Sequence, residues 1–393
     1  MNQPANETKV SPELFRLLGY LDKDPQNEPL TFDTIDRCIS ENQLKLAHDL
    51  LQAAEQFWPQ SVGVLNRKAI IALRNGDPKT AIAELDKVLE SGMADIPVRY
   101  NLAYANYLVG NYARVCAVIE PALHDVHNTA ILDPLYLLSL QQMNETDAAI
   151  AFAEKRLKDR QNDTELQGVI ALLYLDAEKD IDVCRRYTEA ALHKNPEHPM
   201  ALVAASTLSM MDENPSAALA YAQKVVSRNP NDGRAWSSIG IAHMFNLDLP
   251  AAQSALKTAV QNIPNHIGIW HGLAWAQLFQ HDVDGAEASF NHAADIDRAW
   301  GETQAGLAVI AYLRGDKVKA QRLMDRAKRL SPAGMTLLYM KFLQLKDAGD
   351  PVALQKFLED ALKRLPSFKG DSVLDMVRRK NANVLPEDEK LIS

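Results

Sequence analysis

The chain has 393 residues, 47% hydrophobic and 24% charged, with a formal net charge of −9, a balance that excludes a disordered chain and predicts two or three domains or one extended array. The acidic excess argues against a sequence-independent grip on nucleic acid over the whole surface. Three cysteines, Cys38, Cys116 and Cys184, exclude a disulfide framework and a four-thiolate zinc module, and no run of about 18 apolar residues can span a membrane.

In chain order, the first residues lack the basic start and apolar stretch of a secretory signal, so a soluble, cytoplasmic protein is expected. Residues 11–21 open with Ser-Pro-Glu, a helix-start signal, and predict a lone helix closed off by Pro25. Prolines then follow apparent helix ends at Pro59, Pro196, Pro230, Pro264, Pro332 and Pro366. Their steps are multiples of 34, apart from one of 137 between Pro59 and Pro196. A 34-residue period therefore runs along the chain, with one inserted residue placed near 164. The units in register are 28–61, 62–95, 96–129, 130–163, 165–198, 199–232, 233–266, 267–300, 301–334 and 335–368.

Small residues recur at the twentieth place (Ala47, Ala81, Ala149, Cys184, Ala218, Ala252, Ala286, Ala320) and at the twenty-seventh (Ala54, Ala122, Ala191, Ala259, Ala293, Ala327, Ala361). Between them lies a turn such as Gly76-Asp77, Asn144-Glu145 or Gly315-Asp316, which ends one helix and caps the next. In 233–266, Trp236, Ile239, Gly240 and His243 share one face of the first helix, and Ala252, Leu256 and Ala259 share one face of the second. Each unit is thus predicted to be a helical hairpin that buries its apolar face only by stacking on neighbours. The expected organisation is a tail and capping helix over 1–27, ten repeats over 28–368, and a C-terminal capping helix (371–380) and tail over 369–393. Residues 1–10 and 381–393 are expected to be loose.

The unit resembles the tetratricopeptide repeat, with an aromatic at place 4, Leu at 7, a small residue at 8, Ala at 20, an aromatic at 24, Ala at 27 and Pro at 32. Unit 267–300 matches at Trp270, Leu273, Ala274, Ala286, Phe290 and Ala293, and unit 233–266 at Trp236, Gly240, Ala252, Ala259 and Pro264. Units 62–163 carry Met93, His127 and Gln161 at the proline place, and 130–163 is the weakest match. The resemblance implies an all-α, right-handed α/α superhelix of hairpins with helical caps at both ends. It says little of function, because the fold is a scaffold.

In that family the first helices line a concave surface through places 2, 5, 9, 12 and 13. Those places hold Tyr100, Tyr104, Tyr107, Met211, Met244, Phe245, His271, Trp275, Phe279 and Tyr312, with Met210 and Tyr339 among them. The implied wall is apolar, aromatic and rich in Met, which suits an amphipathic helix or an unfolded segment. The competing reading is that these side chains pack between neighbouring helices. The family's carboxylate clamp is not matched, since Asn66, Arg67, Arg74 and Asn101 do not recur at the required places.

Residues 314–380 hold 16 basic and 8 acidic side chains, against 25 and 40 in 1–313. Lys317, Lys319, Arg322, Arg326 and Arg329 form a basic patch that reads either as a solvated helix or as a site for an acidic partner or nucleic acid. Motifs for phosphate loops, serine nucleophiles and helical zinc sites are missing from the sequence. Five histidines fall in 243–292, yet none has a partner four residues away on a helix, so no metal and no cofactor is expected. The cysteines are expected in the core. The sequence therefore points to a non-catalytic protein- or peptide-binding scaffold, a co-chaperone or assembly factor with no membrane span, for which self-association stays open. The alternatives are a peptide-sensing regulator, or RNA or acidic-partner binding through 314–380.

Overall fold

Repeated capping chemistry sets the helix boundaries. A computed structural model describes residues 10–126, 129–332, 334–365, 367 and 371–382, divided into two units, 1–179 and 180–393. The tails 1–9 and 383–393, His127 and Pro366 lie outside the described residues. Among those residues the structure is all-α, with no strand.

Unit 1–179 contains α1 (Pro12–Leu21), α2 (Glu28–Ser40), α3 (Leu44–Phe57), α4 (Val62–Arg74), α5 (Pro78–Glu90), α6 (Ile96–Leu108), α7 (Tyr112–Ile119), α8 (Asp133–Gln142), α9 (Thr146–Asp159) and α10 (Thr164–Asp176). Unit 180–393 contains α11 (Ile181–Lys194), α12 (Pro199–Met211), α13 (Pro215–Arg228), α14 (Gly233–Phe245), α15 (Leu249–Asn262), α16 (Ile267–Phe279), α17 (Val283–Ile296), α18 (Gly301–Leu313), α19 (Lys317–Leu330), α20 (Met335–Asp347), α21 (Pro351–Arg364) and α22 (Val373–Ala382). Within each unit consecutive helices pair as hairpins, among them α4 with α5, α14 with α15 and α18 with α19.

The turns show why. At Gly76, Gly110, Gly315 and Gly349 the chain takes positive φ, between 66° and 82°, which closes the preceding helix with a backbone bond such as Asp77 N to Ala72 O at 2.9 Å. The next helix then starts on a side-chain cap: Asp77 accepts from the Thr80 amide (3.1 Å) and Asp316 from the Lys319 amide (2.9 Å).

The same turns correct the repeat register. Second helices start at 44, 78, 112 and 146, and then at 181. The extra residue is therefore Lys179, between the positive-φ Glu178 and the capping Asp180, and not a residue near 164. Proline spacing had no power to locate it, because no helix-ending proline stands between Pro59 and Pro196. The first helix of that repeat, α10, begins at Thr164, so its ninth place is Leu172 rather than Leu173.

Small residues sit where helices cross. Ala47, Ala81, Ala149, Cys184, Ala218, Ala252 and Ala286 are fully buried, as are Ala191, Ala259, Ala293 and Ala327. A Cβ added at Gly240 would lie 2.5 Å from Leu256 Cγ, and one at Gly306 would lie 2.5 Å from the Phe290 ring. Close approach there needs the missing side chain. At the start, fully buried Leu14 of α1 joins the cluster of Ile35, Ala47 and Leu51, covering the apolar side of the α2/α3 hairpin. One hairpin is irregular: α7 ends after eight residues in a 3-10 turn, Glu120–Ala122, and α8 begins with a buried aspartate.

Candidate functional site

The first helices of unit 180–393 gather an aromatic cluster. Trp275 and Phe279 lie one turn apart on α16, with ring centroids 5.3 Å apart. Tyr339 of α20 meets both, edge-on, at 5.1 Å from Trp275 and 6.2 Å from Phe279. The fully buried Phe290 of α17 backs Trp275 at 6.2 Å. Phe279 stays 45% exposed, and Ile241 on α14 is 44% exposed. Trp275 itself is half-buried, packed on the core group of Ala274, Ala308 and Val309. It is a ring held rigidly from behind with part of its surface open.

The other expected wall residues divide. Met244 is half-buried beside Leu256 and Ile269, and Phe245 is half-buried over Met210, Ala218 and Ala242. Met211 is half-buried at the end of α12. Tyr312 is half-buried, and its hydroxyl donates to Asp347 (2.9 Å); burial first, then this carboxylate, push its phenol up. Met210 is 5% exposed, closed off beneath Phe245, which corrects its place in the expected wall. His271 is packed into the ring cluster, 4.9 Å from Trp300, 5.2 Å from Phe290 and 6.3 Å from Trp275. Burial pushes its imidazole down, with Glu302 acting in the opposite sense.

Unit 1–179 holds the three tyrosines by themselves on α6. Tyr100 and Tyr104 stack with ring centroids 6.1 Å apart, Tyr104 is 39% exposed, and Tyr107 packs edge-on against Tyr112 at 5.4 Å. Arg67, weighed for a carboxylate clamp, is occupied by Asp36 (2.5 Å) and by the Phe32 ring, 4.2 Å from its centroid. A cavity of about 440 Å³ opens between α7 and α9, lined by Cys116, Glu120, Tyr136, Glu145 and Phe152. Burial first, then neighbouring carboxylates, push the Tyr136 phenol up to about 12 and the Cys116 thiol up to about 11. Cys38 is likewise pushed up to about 11, so both thiols stay protonated and unreactive near neutral pH.

The basic patch is exposed on α19 throughout. At 3.6 residues per turn, Lys319, Arg322, Arg326 and Arg329 fall within about 80° of arc, while Lys317 lies on another side. Arg326 donates to the Arg298 carbonyl at 3.1 Å. Arg298 is a neighbour that sequence spacing could not supply, since it precedes α18. Tyr339 is legible at its place in the repeat, but only the fold brings its ring to Trp275 across two repeats. Among the described residues no three His, Cys, Asp or Glu side chains converge to hold a metal, and no helix is long and apolar enough to cross a membrane.

No family model and no curated protein matches the sequence. Solved structures do. The human IFIT1 dimer with m7Gppp-AAAA is 14% identical, covering 91% of this chain and 96% of that one, with a TM-score of 0.54. A monomeric mutant of IFIT1 with Gppp-AAAA is also 14% identical, covering 91% and 90%, with a TM-score of 0.54. The fold is that of a tetratricopeptide-repeat array. A shorter overlap reaches TTC0263, a thermophilic TPR protein of Thermus thermophilus, at 21% identity, covering 44% of this chain and 94% of that one, with a TM-score of 0.38. The tetratricopeptide arrangement explains why Trp275, Phe279 and Tyr339 meet: all three belong to first helices, repeated at 34-residue intervals along one side.

Proposed function

We propose that this tetratricopeptide array is a non-catalytic protein-binding scaffold, acting as a co-chaperone or assembly factor, that holds an apolar or amphipathic segment of another protein. The reading rests on one observation, the Trp275–Phe279–Tyr339 ring cluster, which is buried on one side and open at Phe279. Rings fixed by packing lose little side-chain entropy when a partner covers them, so less of the roughly 25 cal/mol gained per Å² of buried apolar area is offset by ordering. Half-buried Met244 and Phe245 extend the same apolar character along α14. The tyrosines of α6 are a separate contact surface in unit 1–179. The proposed setting is the cytoplasm.

The test is binding of a fluorescently labelled amphipathic peptide to the wild type and to Trp275→Ala. Loss of this anchor is expected to weaken binding by about 2 kcal/mol or more. Tryptophan emission should shift to the blue as the peptide covers Trp275. Unchanged affinity in a folded Trp275→Ala variant sinks the reading. The IFIT1 structures carry Gppp-AAAA and m7Gppp-AAAA, so an RNA reading is the natural alternative. At 14% identity that likeness speaks of fold alone, and the ring cluster, with Ile241 and Met244 adding apolar surface on α14, favours apolar side chains over phosphates.

A further inference from the structure

Away from the ring cluster, unit 180–393 carries a row of exposed cations on one side of α19. Lys319, Arg322, Arg326 and Arg329 recur at steps of three, four and three, which lays four cations along one side of the helix over about 15 Å. Ala320, Met324 and Ala327 are buried on the opposite side and fix the stripe outward. The bond from Arg326 to the Arg298 carbonyl brings exposed Arg298 to its edge.

Among the described residues no ion pair holds any of these four cations, and Asp325, three residues after Arg322 and four before Arg329, is the single acid of α19 spaced to offset them. Among the described residues of the surrounding basic segment the ion pairs belong to Arg314, with Asp284 and Glu287, and to Arg378, with Asp375. The one acid in the body of α19, Asp325, accepts from Gln321 (2.9 Å). Helix-dipole stabilisation accounts for cations in the last turn, such as Arg329, and not for Lys319 and Arg322 near the start. Like charges three and four residues apart also repel, so the free chain carries an electrostatic cost that a partner would relieve.

We propose that this stripe docks an acidic amphipathic helix of a partner protein. A helix with carboxylates at the same steps of three, four and three presents its charges at the same rise as the row it meets. Val318 (63% exposed) and Leu330 (42% exposed) flank the stripe at its two ends and offer apolar contacts to such a helix. A nucleic acid is the poorer fit. The helix has no aromatic residue on which a base could stack. Its start is closed by the Asp316 carboxylate, where a phosphate would need open amides. The site is independent of the ring cluster, so either can fail alone.

Fluorescence anisotropy decides it with three probes: a capped Ala-rich helical peptide bearing Glu at the matching spacing, a scrambled peptide of the same composition, and an oligouridylate. The patterned peptide should bind saturably and weaken as salt rises. Arg322→Glu with Arg326→Glu should lower its affinity at least about tenfold, and the milder Arg322→Gln with Arg326→Gln should lower it less. Lys317→Glu with Lys328→Glu changes the charge equally on another side of α19 and should leave affinity within about twofold. Circular dichroism confirms that each variant is folded. Equal binding of the scrambled peptide, tighter binding of oligouridylate, equal loss in the Lys317/Lys328 control, or no saturable binding of the patterned peptide each overturns the proposal.

Discussion

The α7–α9 region and the α14–α19 region are built from the same hairpin, yet they are held together differently. In α14–α19 the second helices run 14 residues and cross the first helices at Ala252, Ala259, Ala286, Ala293, Gly240 and Gly306. Contact there is apolar and close, and specificity comes from what is missing at the crossing points. In α7–α9 the second helix is cut to eight residues and a cavity of about 440 Å³ opens beside it. A charge cluster takes over. Asp133, 1% exposed at the start of α8, receives Arg160 and Arg156, which stand one turn apart at the end of α9. Arg156 also donates to the Leu123 carbonyl (2.9 Å), tying down the backbone after the 3-10 turn. Where the second helix of the repeat is cut short, a directional polar clamp ties it to the next hairpin.

The largest effect that would break this contrast is removal of the clamp's anion. Burial pushes the Asp133 carboxyl up, while both guanidiniums pull it down. Asp133→Ala leaves buried Arg156 without a counter-charge and Arg160 with Asp163 alone (3.3 Å), and should cost about 3–5 kcal/mol of stability in urea unfolding. Replacing all three residues together, with Asp133→Leu, Arg156→Met and Arg160→Leu, should recover most of that loss. A cost below about 1 kcal/mol for the single variant would mean that the arginines reach water, and the clamp would be no clamp.

A smaller effect sharpens the contrast by making one kind of change in both regions. Gly306→Val forces a Cβ to within 2.5 Å of Phe290, a fully buried ring with nowhere to move. It should lower stability by about 1–3 kcal/mol. Ala117→Leu instead grows into the cavity beside α7 and should change stability by no more than about 0.5 kcal/mol. Thermal melts of both variants check the difference. Equal losses would show that the cavity wall is as tightly packed as the regular seam.

Much of this regularity was legible in the amino acids because helix termination, capping and close crossing each demand particular residue types. Proline, Asp or Asn, and Ala or Gly therefore recur in phase and announce the hairpins. What was not legible depends on residues far apart in the chain. Proline marks the period without locating the insertion at Lys179, because it is missing at the helix-ending place of successive repeats between Pro59 and Pro196. Asp133 reads as an ordinary helix-start residue until Arg156 and Arg160 arrive from the next helix. Among the concave places, Met210 and Trp275 look equivalent in sequence. One is closed by Phe245 and the other is left partly open, which only the neighbouring helices decide.

The smallest effect concerns His271, the one histidine of the ring cluster. Its imidazole sits against Phe290 and Trp300, and its Nε2 finds no hydrogen-bond partner among the described residues. Burial therefore holds its pKa below the usual 6.5. Below that value the unfolded chain binds a proton that the folded chain resists. The neutral ring's contribution to stability is thus complete above about pH 6.5 and is lost as the pH falls toward the folded-state value. One such proton gives a slope of at most about 1.4 kcal/mol per pH unit. His271→Phe keeps the aromatic packing and removes the titration, so the stability of the wild type should fall relative to this variant as the pH is lowered from neutrality. Peptide affinity should fall with it, because the same protonation loosens the support behind Trp275, whereas the tyrosines of α6 in the other unit should be indifferent. A flat difference between wild type and His271→Phe across that range would mean that water already reaches the ring, and that the aromatic cluster is more open than its packing implies.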